Sequence, residues 1–459
     1  MNKTVINIAG ALVALGGLFF LSFLAGVGYI LPLLLFTLFI YSRYSPRCCY
    51  DYFILGLLLT IIVFTARTIV FYPGHPSLYL IPVAAVSMLC TILFNDITLT
   101  LVLSLAASLS AGIIAGGDIY LSCILFVGGL FSGFLVLGLR RRSQIMKAGI
   151  AAGIIQTMGV VLLNTHHLDN ILPQIIPNLV NGLFSGIFVA GALPIFEYLS
   201  GTATNITLLE LSDSNHPLLK KMVLEAPGTY HHSLIVGNLS ETAAEAIGAN
   251  SLLARIGAYY HDIGKTAKAE YFIENQQVSE GGGWAHDQLK PSMSKMVIIN
   301  HVKEGIELGR RYKLNDSIID FIAQHHGTSL VFYFYCRALE NEDEDEQVEE
   351  EGFRYSGPKP QSKETAIVLL ADSVEGAVRA LKDRTPKKIS EMVRKVINNK
   401  FIDGQLDECE LTLSDLNKIA GVFSRILSAV YHARIDYPAE RPDDKNSNSS
   451  RAQEADRDR

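Results

Sequence analysis

The stretch Glu241–Lys265, ETAAEAIGANSLLARIGAYYHDIGK, decides how the second half of this chain folds. Apolar residues recur along it at helical spacing, and Gly248-Ala249-Asn250 interrupts them, so it reads as two helices joined at a glycine. Working outward, similar patterns occupy 292–311, 315–325, 363–383, 386–400 and 412–435. No run alternates like a strand and no βαβ rhythm is present, so residues 200–437 read as an all-α domain. Two pieces lack any such pattern. The acidic run ENEDEDEQVEEE at 340–351 is too repulsive to pack, and the polar tail 438–459 reads as disordered.

The first half has a different composition. Residues 1–199 hold only eight Lys and Arg and five Asp and Glu, leaving 31 basic and 40 acidic residues for 200–459. A chain that is 49% hydrophobic over 459 residues is too apolar for one soluble domain. The acidic balance of the second half argues against a nucleic-acid polymer as partner, because a phosphate backbone requires a basic surface. The six cysteines (Cys48, Cys49, Cys90, Cys123, Cys336 and Cys409) form no CxxC pair, so neither a disulfide framework nor a zinc ribbon is expected.

Residues 1–199 read as a transmembrane bundle of eight helices in a lipid bilayer. Apolar runs fall near 6–25, 27–43, 53–71, 77–95, 98–115, 119–139, 147–165 and 175–198. Several approach the ~20 residues that cross a bilayer core. The basic residues sit at Lys3, in the Arg43–Arg47 loop and in the Arg140–Lys147 loop, while the loops at Gly74, Gly117 and His166–Asp169 carry none. With eight crossings the basic loops and the second half share one side, which the positive-inside rule makes the cytoplasm of a bacterial inner membrane. The apolar run 6–25 continues into the next without an A-x-A-like break and makes a poor cleavable signal. Arg67 and His75 are the unusual polar residues near a span.

The histidines crowd the second half: His231-His232, His261-Asp262, His301 and His325-His326, with Asp372 following in LLADSVEGA. Neutral imidazole and carboxylate are the donors that iron, manganese and zinc take. A His-Asp dipeptide can ligate one ion by its imidazole and bridge two by its carboxylate, and the downstream histidines supply donors for the second. Two ions roughly 3.5–4 Å apart clamp a phosphate and generate the hydroxide for in-line attack. The expected ligands are one histidine of the His231-His232 pair, with His261, Asp262, His301, His325, His326 and Asp372. Asp262 and Lys265 are the catalytic candidates, the first as bridge and the second as a cation for a phosphate oxygen. Gly264 lets the chain turn close to the site. His216, His286 and His432 are expected on the surface.

The segment EAPGTYHHSLIVGNLSETAAEAIGANSLLARIGAYYHDIGK resembles the seven-transmembrane HD-domain family of bacterial cyclic di-AMP phosphodiesterases. So do FIENQ, HVKEGIELGRRYKLNDSIIDFIAQHHGT, EEGFRYSGPKPQSKETAIVLLADSVEGAVR and, in the membrane half, YLIPVAAVSML and NGLFSGIFVAGALPIFE. The likeness covers about 27–435. It implies a membrane bundle joined to a helical HD phosphohydrolase domain with two divalent ions, iron or manganese, that opens cyclic di-AMP to pApA. It selects His232, the histidine beside Ser233, as the first ligand, and matches His261, Asp262, His301, His325, His326 and Asp372 to the rest. Family members typically carry an extracytoplasmic domain after the first span. Here the spans meet at Ala25-Gly26-Val27-Gly28, which implies that the domain is missing and regulation altered.

The rival reading closest to this is an HD hydrolase of another nucleotide: cyclic di-GMP, a dNTP or guanosine tetraphosphate. The cyclic di-GMP branch carries a downstream Gly-Tyr-Pro, and this chain has none. A membrane receptor that only binds nucleotide would have lost ligands, and none is lost. A transporter would need paired charges within the spans. Self-association as a homodimer stays open, since no residue pattern argues for or against it.

Overall fold

The computed structural model describes residues 49–72, 74, 77–163, 171–276, 285–340 and 348–431. The expected spans at 6–25 and 27–43, and His75, His432 and the tail, lie outside the described residues. Among those described there is no strand. The one departure from helices and turns is a single antiparallel bridge between Leu330 and Arg354.

The membrane half comprises α1 (Cys49–Phe71), α2 (Val83–Phe94), α3 (Ile97–Ile114), α4 (Ile119–Leu135), α5 (Arg142–Leu163) and α6 (Leu172–Ser200). Among the described residues four stretches are long and apolar enough to cross a membrane: Phe53–Phe71, Ile97–Ile114, Arg142–Leu163 and Pro173–Ser200. The expected span at 77–95 is not one helix. It is a 3₁₀ turn at Leu78–Leu80, a break at Ile81-Pro82, and α2. The break is tolerated because Asn181 on α6 donates its Nδ2 to the carbonyls of Tyr79 (2.8 Å) and Ile81 (3.1 Å). α2 is buried from Val83 to Leu93, which makes it the centre of the bundle. Side-chain hydroxyls tie it to α3, Ser87 to Ser104 at 2.6 Å and Thr91 to Thr100 at 2.8 Å. Asp96 and Asp118 cap α3 and α4 by accepting from backbone amides of their first turns.

α5 and α6 pack backbone to backbone. A Cβ on Gly149 would lie 2.5 Å from the Gly182 carbonyl, and one on Gly153 would lie 2.9 Å from the Asn178 carbonyl. Small residues are what lets membrane helices approach so closely where apolar lipid removes the hydrophobic drive.

Gly201 closes α6 in the left-handed region (φ 65°). The short α7 (Asn205–Leu211) then joins the halves. Its Ile206 belongs to the bundle core, whereas Leu208 and Leu211 pack with Tyr260, Ile318 and Ile322 of the second half. Glu197 at the end of α6 accepts from Thr204 and from Thr207, the latter at 2.8 Å.

The second half is built from α8 (Pro217–Glu225), α9 (Pro227–Ile247), α10 (Ser251–Tyr260), α11 (Pro291–Arg311), α12 (Asp316–Gln324), α13 (Phe332–Glu340), α14 (Lys363–Arg379), α15 (Pro386–Ile402) and α16 (Leu413–Val430). Four of these start on proline, whose missing N–H costs nothing in a first turn. Gly248 at φ 73° ends α9 where the sequence places the break. The core lies between α9, α10, α14, α15 and α16, with Ala366–Ala371 of α14 fully enclosed.

Two expectations fail here. The acidic run does not lack structure throughout. Glu340 ends α13, and Glu350–Phe353 form a 3₁₀ turn held by Val331 N–H donating to the Phe353 carbonyl at 2.9 Å. Burial of Phe353 outweighs the repulsion at that end of the run. His286 is also not at the surface. It is fully buried against Phe334, with Nε2 2.9 Å from the Tyr271 carbonyl. His216 is half-buried and edge-on to the Tyr260 ring.

Candidate metal centre

The seven expected ligands come from five places in the fold. His232 lies in the second turn of α9 and is buried, while its neighbour His231 is exposed. His261 and Asp262 leave the end of α10, both at 0% exposure. His301 is midway along α11, His325 and His326 follow α12, and Asp372 is on α14. Gly264 explains how the dipeptide reaches α11. A Cβ there would fall on the His301 carbonyl, so only glycine permits the approach.

The donors divide around Asp262. Its Oδ1 faces His301 Nε2 at 3.4 Å and His325 Nε2 at 3.5 Å. Its Oδ2 faces His261 Nε2 at 3.1 Å and His232 Nε2 at 3.8 Å. Asp372 completes the second group, with Oδ1 3.0 Å from His232 Nε2 and 3.8 Å from His261 Nε2. Its Oδ2 lies 3.6 Å from His326 Nδ1. Two sets of four ligand atoms result, Asp262–His301–His325–His326 and His232–His261–Asp262–Asp372, each within a 4.8 Å span and sharing Asp262.

The hydrogen bonds behind these rings test whether metal ions fit. His261, His301 and His325 approach the backbone carbonyls of Ala258 (2.6 Å), Ile298 (2.5 Å) and Ile322 (2.9 Å) with Nδ1. A carbonyl only accepts, so each Nδ1 carries a proton and each neutral ring keeps its lone pair on Nε2. His301 Nε2 and His325 Nε2 then meet lone pair to lone pair at 3.2 Å, an arrangement that a shared cation relieves. His261 Nε2 and Asp262 Oδ1 are buried with no hydrogen-bond partner. The donor set therefore fits divalent metal.

The protonation states agree in part. Burial, then the charge of His261, pushes His325 down to about 4, and burial, then His325, holds His326 well below the ordinary histidine range. Both are thus neutral imidazoles, the form in which a histidine can ligate a metal. Burial opposes the charge on Asp262 and Asp372, but the surrounding imidazoles, with Lys265 beside Asp262, keep both ionised. His232 is raised, because its hydrogen bonds to Asp372 and Glu375 outweigh burial. Burial works the same way on His261, but Asp262 and Asp372 bring it up to about 10. Both protons are ones a metal would displace.

Lys265 does not stand free behind the site. Its Nζ pairs with Asp262 Oδ2 at 2.7 Å and Glu274 Oε1 at 2.9 Å. Glu274 also accepts from Thr229 Oγ1 at 3.2 Å. The lysine thus anchors the carboxylate that both donor sets share and gives two of its three donors to these partners. Three further residues join the site without having been singled out in the sequence. Glu274 sits in the FIENQ segment, Glu375 contacts His232 Nδ1 at 2.6 Å, and the Tyr355 ring stacks on His326 with centroids 4.3 Å apart. Glu375 was the most accessible to sequence reasoning, since it lies one helical turn after Asp372.

Comparison with known proteins gives two family matches. Residues 20–204 match the model for a 7TM receptor with intracellular HD hydrolase, and residues 229–377 match the HD domain. The chain is 42% identical over 371 residues to the cyclic-di-AMP phosphodiesterase PgpH of Bacillus subtilis, and 39% identical over 382 residues to PgpH of Listeria monocytogenes. The chain belongs to the seven-transmembrane HD-domain family. These alignments cover 78% and 80% of this chain, and the chain spans about half the length of these relatives (51% of each). The crystal structure of the L. monocytogenes PgpH HD domain with cyclic di-AMP shares 46% identity with it. That structure covers 48% of this chain and all of its own, at a TM-score of 0.45. All seven donor residues fall inside the HD match, whereas Tyr431, which reaches Glu375, lies beyond its end.

Proposed function

We propose that this chain is a multi-pass membrane phosphodiesterase that hydrolyses cyclic di-AMP to pApA at a two-metal centre. The observation that carries this reading is the division of seven buried or part-buried donors into two sets that share one carboxylate. On this reading His232, His261, Asp262 and Asp372 hold one ion, Asp262, His301, His325 and His326 the other, and the native metal is iron or manganese. Such ions, when bound, supply Lewis acidity to a phosphodiester and an activated water. The chain's own residues prepare the site. Asp262 stays ionised and bridges, Lys265 fixes it and offers its remaining donor to a phosphate oxygen, and the backbone carbonyls set the imidazole tautomers.

The names of the relatives favour cyclic di-AMP as substrate. The proposed organisation is a bundle at 1–199, the catalytic domain at 200–437 facing the cytoplasm, and a tail at 438–459. The decisive experiment incubates the purified full chain in detergent micelles with Mn²⁺ and either cyclic di-AMP or cyclic di-GMP, and separates the products by chromatography. Release of pApA from cyclic di-AMP alone is the expected result. Turnover of cyclic di-GMP in preference, or of neither, overturns the substrate assignment.

A further inference from the structure

The support of the metal centre runs beyond the HD match into the last described helix. Asp372 and Glu375 are one turn apart on α14 and grip one imidazole from both sides. Asp372 Oδ1 lies 3.0 Å from His232 Nε2, and Glu375 Oε2 lies 2.6 Å from His232 Nδ1. Glu375 is fully buried, and a buried carboxylate must be held by fixed partners. Its second oxygen accepts from the Tyr431 hydroxyl at 2.7 Å. Tyr431 caps the end of α16, and the Arg384 guanidinium lies 4.9 Å from its ring centre. Arg379 adds a cation 3.7 Å from Glu375 Oε2. Neither Glu375 nor Tyr431 is among the converging donors, yet both act on the ring that is.

An imidazole whose far nitrogen donates to a fixed carboxylate offers its near nitrogen in one tautomer and at one angle, which tightens metal binding. We propose that Glu375 is the positioning residue of His232, and that Tyr431, delivered by α16, locks Glu375 in place. Metal affinity then depends on a helix outside the HD match. This rests on the two-metal reading above.

The test strips the full chain of metal in detergent micelles. It titrates the chain with Mn²⁺ by equilibrium dialysis and elemental analysis, and follows thermal unfolding with and without Mn²⁺. Glu375→Ala should weaken one of two Mn²⁺ sites about 10–100-fold. Tyr431→Phe should weaken the same site about fivefold, the effect of one lost hydrogen bond. It should also reduce the Mn²⁺-induced rise in unfolding midpoint more than it lowers the midpoint of the stripped protein. The exposed control His231→Ala should bind as wild type does. If Glu375→Ala does not fold, Tyr431→Phe removes a single hydroxyl and carries the test. Wild-type affinity in both variants, or an equal loss in the control, overturns the proposal. A wild-type chain that binds no Mn²⁺ removes the two-metal reading itself, and this proposal with it.

Discussion

In the membrane bundle α5 and α6 touch through Gly149, Gly153, Gly182 and Gly186; in the second half the segment after α10 touches α11 through Gly264 and Gly305. The packing device is the same and its purpose differs. Between α5 and α6 the glycines bring together backbone whose hydrogen bonds are already made inside each helix, so contact itself is the gain. At Gly264 the approach brings His261 and Asp262 up to His301 and leaves His261 Nε2 and Asp262 Oδ1 without partners. A buried unpartnered donor set is costly, and a bound cation offsets that cost. Close packing stabilises the first half and gathers the buried donor cluster in the second.

Removing the residue that both donor sets share is the severest way to test that contrast. Asp262→Ala should abolish binding of both ions in a Mn²⁺ titration of the full chain. Turnover should fall by at least the ~10²–10³-fold that losing one stabilising group costs elsewhere. Retained turnover would mean that the buried cluster is a structural polar core.

Next come paired glycine substitutions. Gly264→Ala would drive a methyl into the His301 carbonyl, and Gly153→Ala would drive one into the Asn178 carbonyl. Each should lower stability by about 1–3 kcal/mol, as overpacking does, measured as a fall in the thermal midpoint of the full chain. Only Gly264→Ala should weaken Mn²⁺ binding as well. Equal loss of metal in both would show that the bundle and the site are one cooperative unit.

Six of the seven converging residues were legible because the HDIGK signature and its spaced partners carry their own chemistry, and the family resemblance selected His232 over His231. The helices of the second half were legible from apolar period and the break at Gly248. Tyr431 was not, and Glu375 carried only the weak signal of lying one helical turn after Asp372. A glutamate on a helix and a tyrosine near a chain's end are common surface residues, and only the fold brings them to a histidine 143 positions and a glutamate 56 positions away. His286 misled for the opposite reason, since a polar residue a few positions after a triple glycine in the sequence reads as exposed until Phe334 covers it. In the membrane half, hydropathy reads a continuous span through Ile81-Pro82. The break is real because a distant asparagine, Asn181, satisfies the freed carbonyls.

A smaller effect tests how far the halves are joined. Tyr260, immediately before the His261-Asp262 dipeptide, is fully buried and donates its hydroxyl to the Leu211 carbonyl of α7 at 2.7 Å. Tyr260→Phe should cost about 0.5–1.5 kcal/mol, read as a lowered unfolding midpoint of the full chain, with Mn²⁺ affinity falling only slightly. A large fall in affinity would make α7 part of the site's support and not merely its connection to the bundle.

Arg142 on α5 and Glu210 on α7 also link the halves, at 2.8 Å, but their side chains are 56% and 58% exposed. Solvent screens such a pair, and ordering two long side chains offsets most of the attraction, so Arg142→Ala should change stability by less than ~1 kcal/mol. The effect should shrink further at high salt, where exposed charges are screened within a few ångströms. An effect as large as that of Tyr260→Phe would mean that this contact, and not the buried apolar face of α7, couples the bundle to the second half.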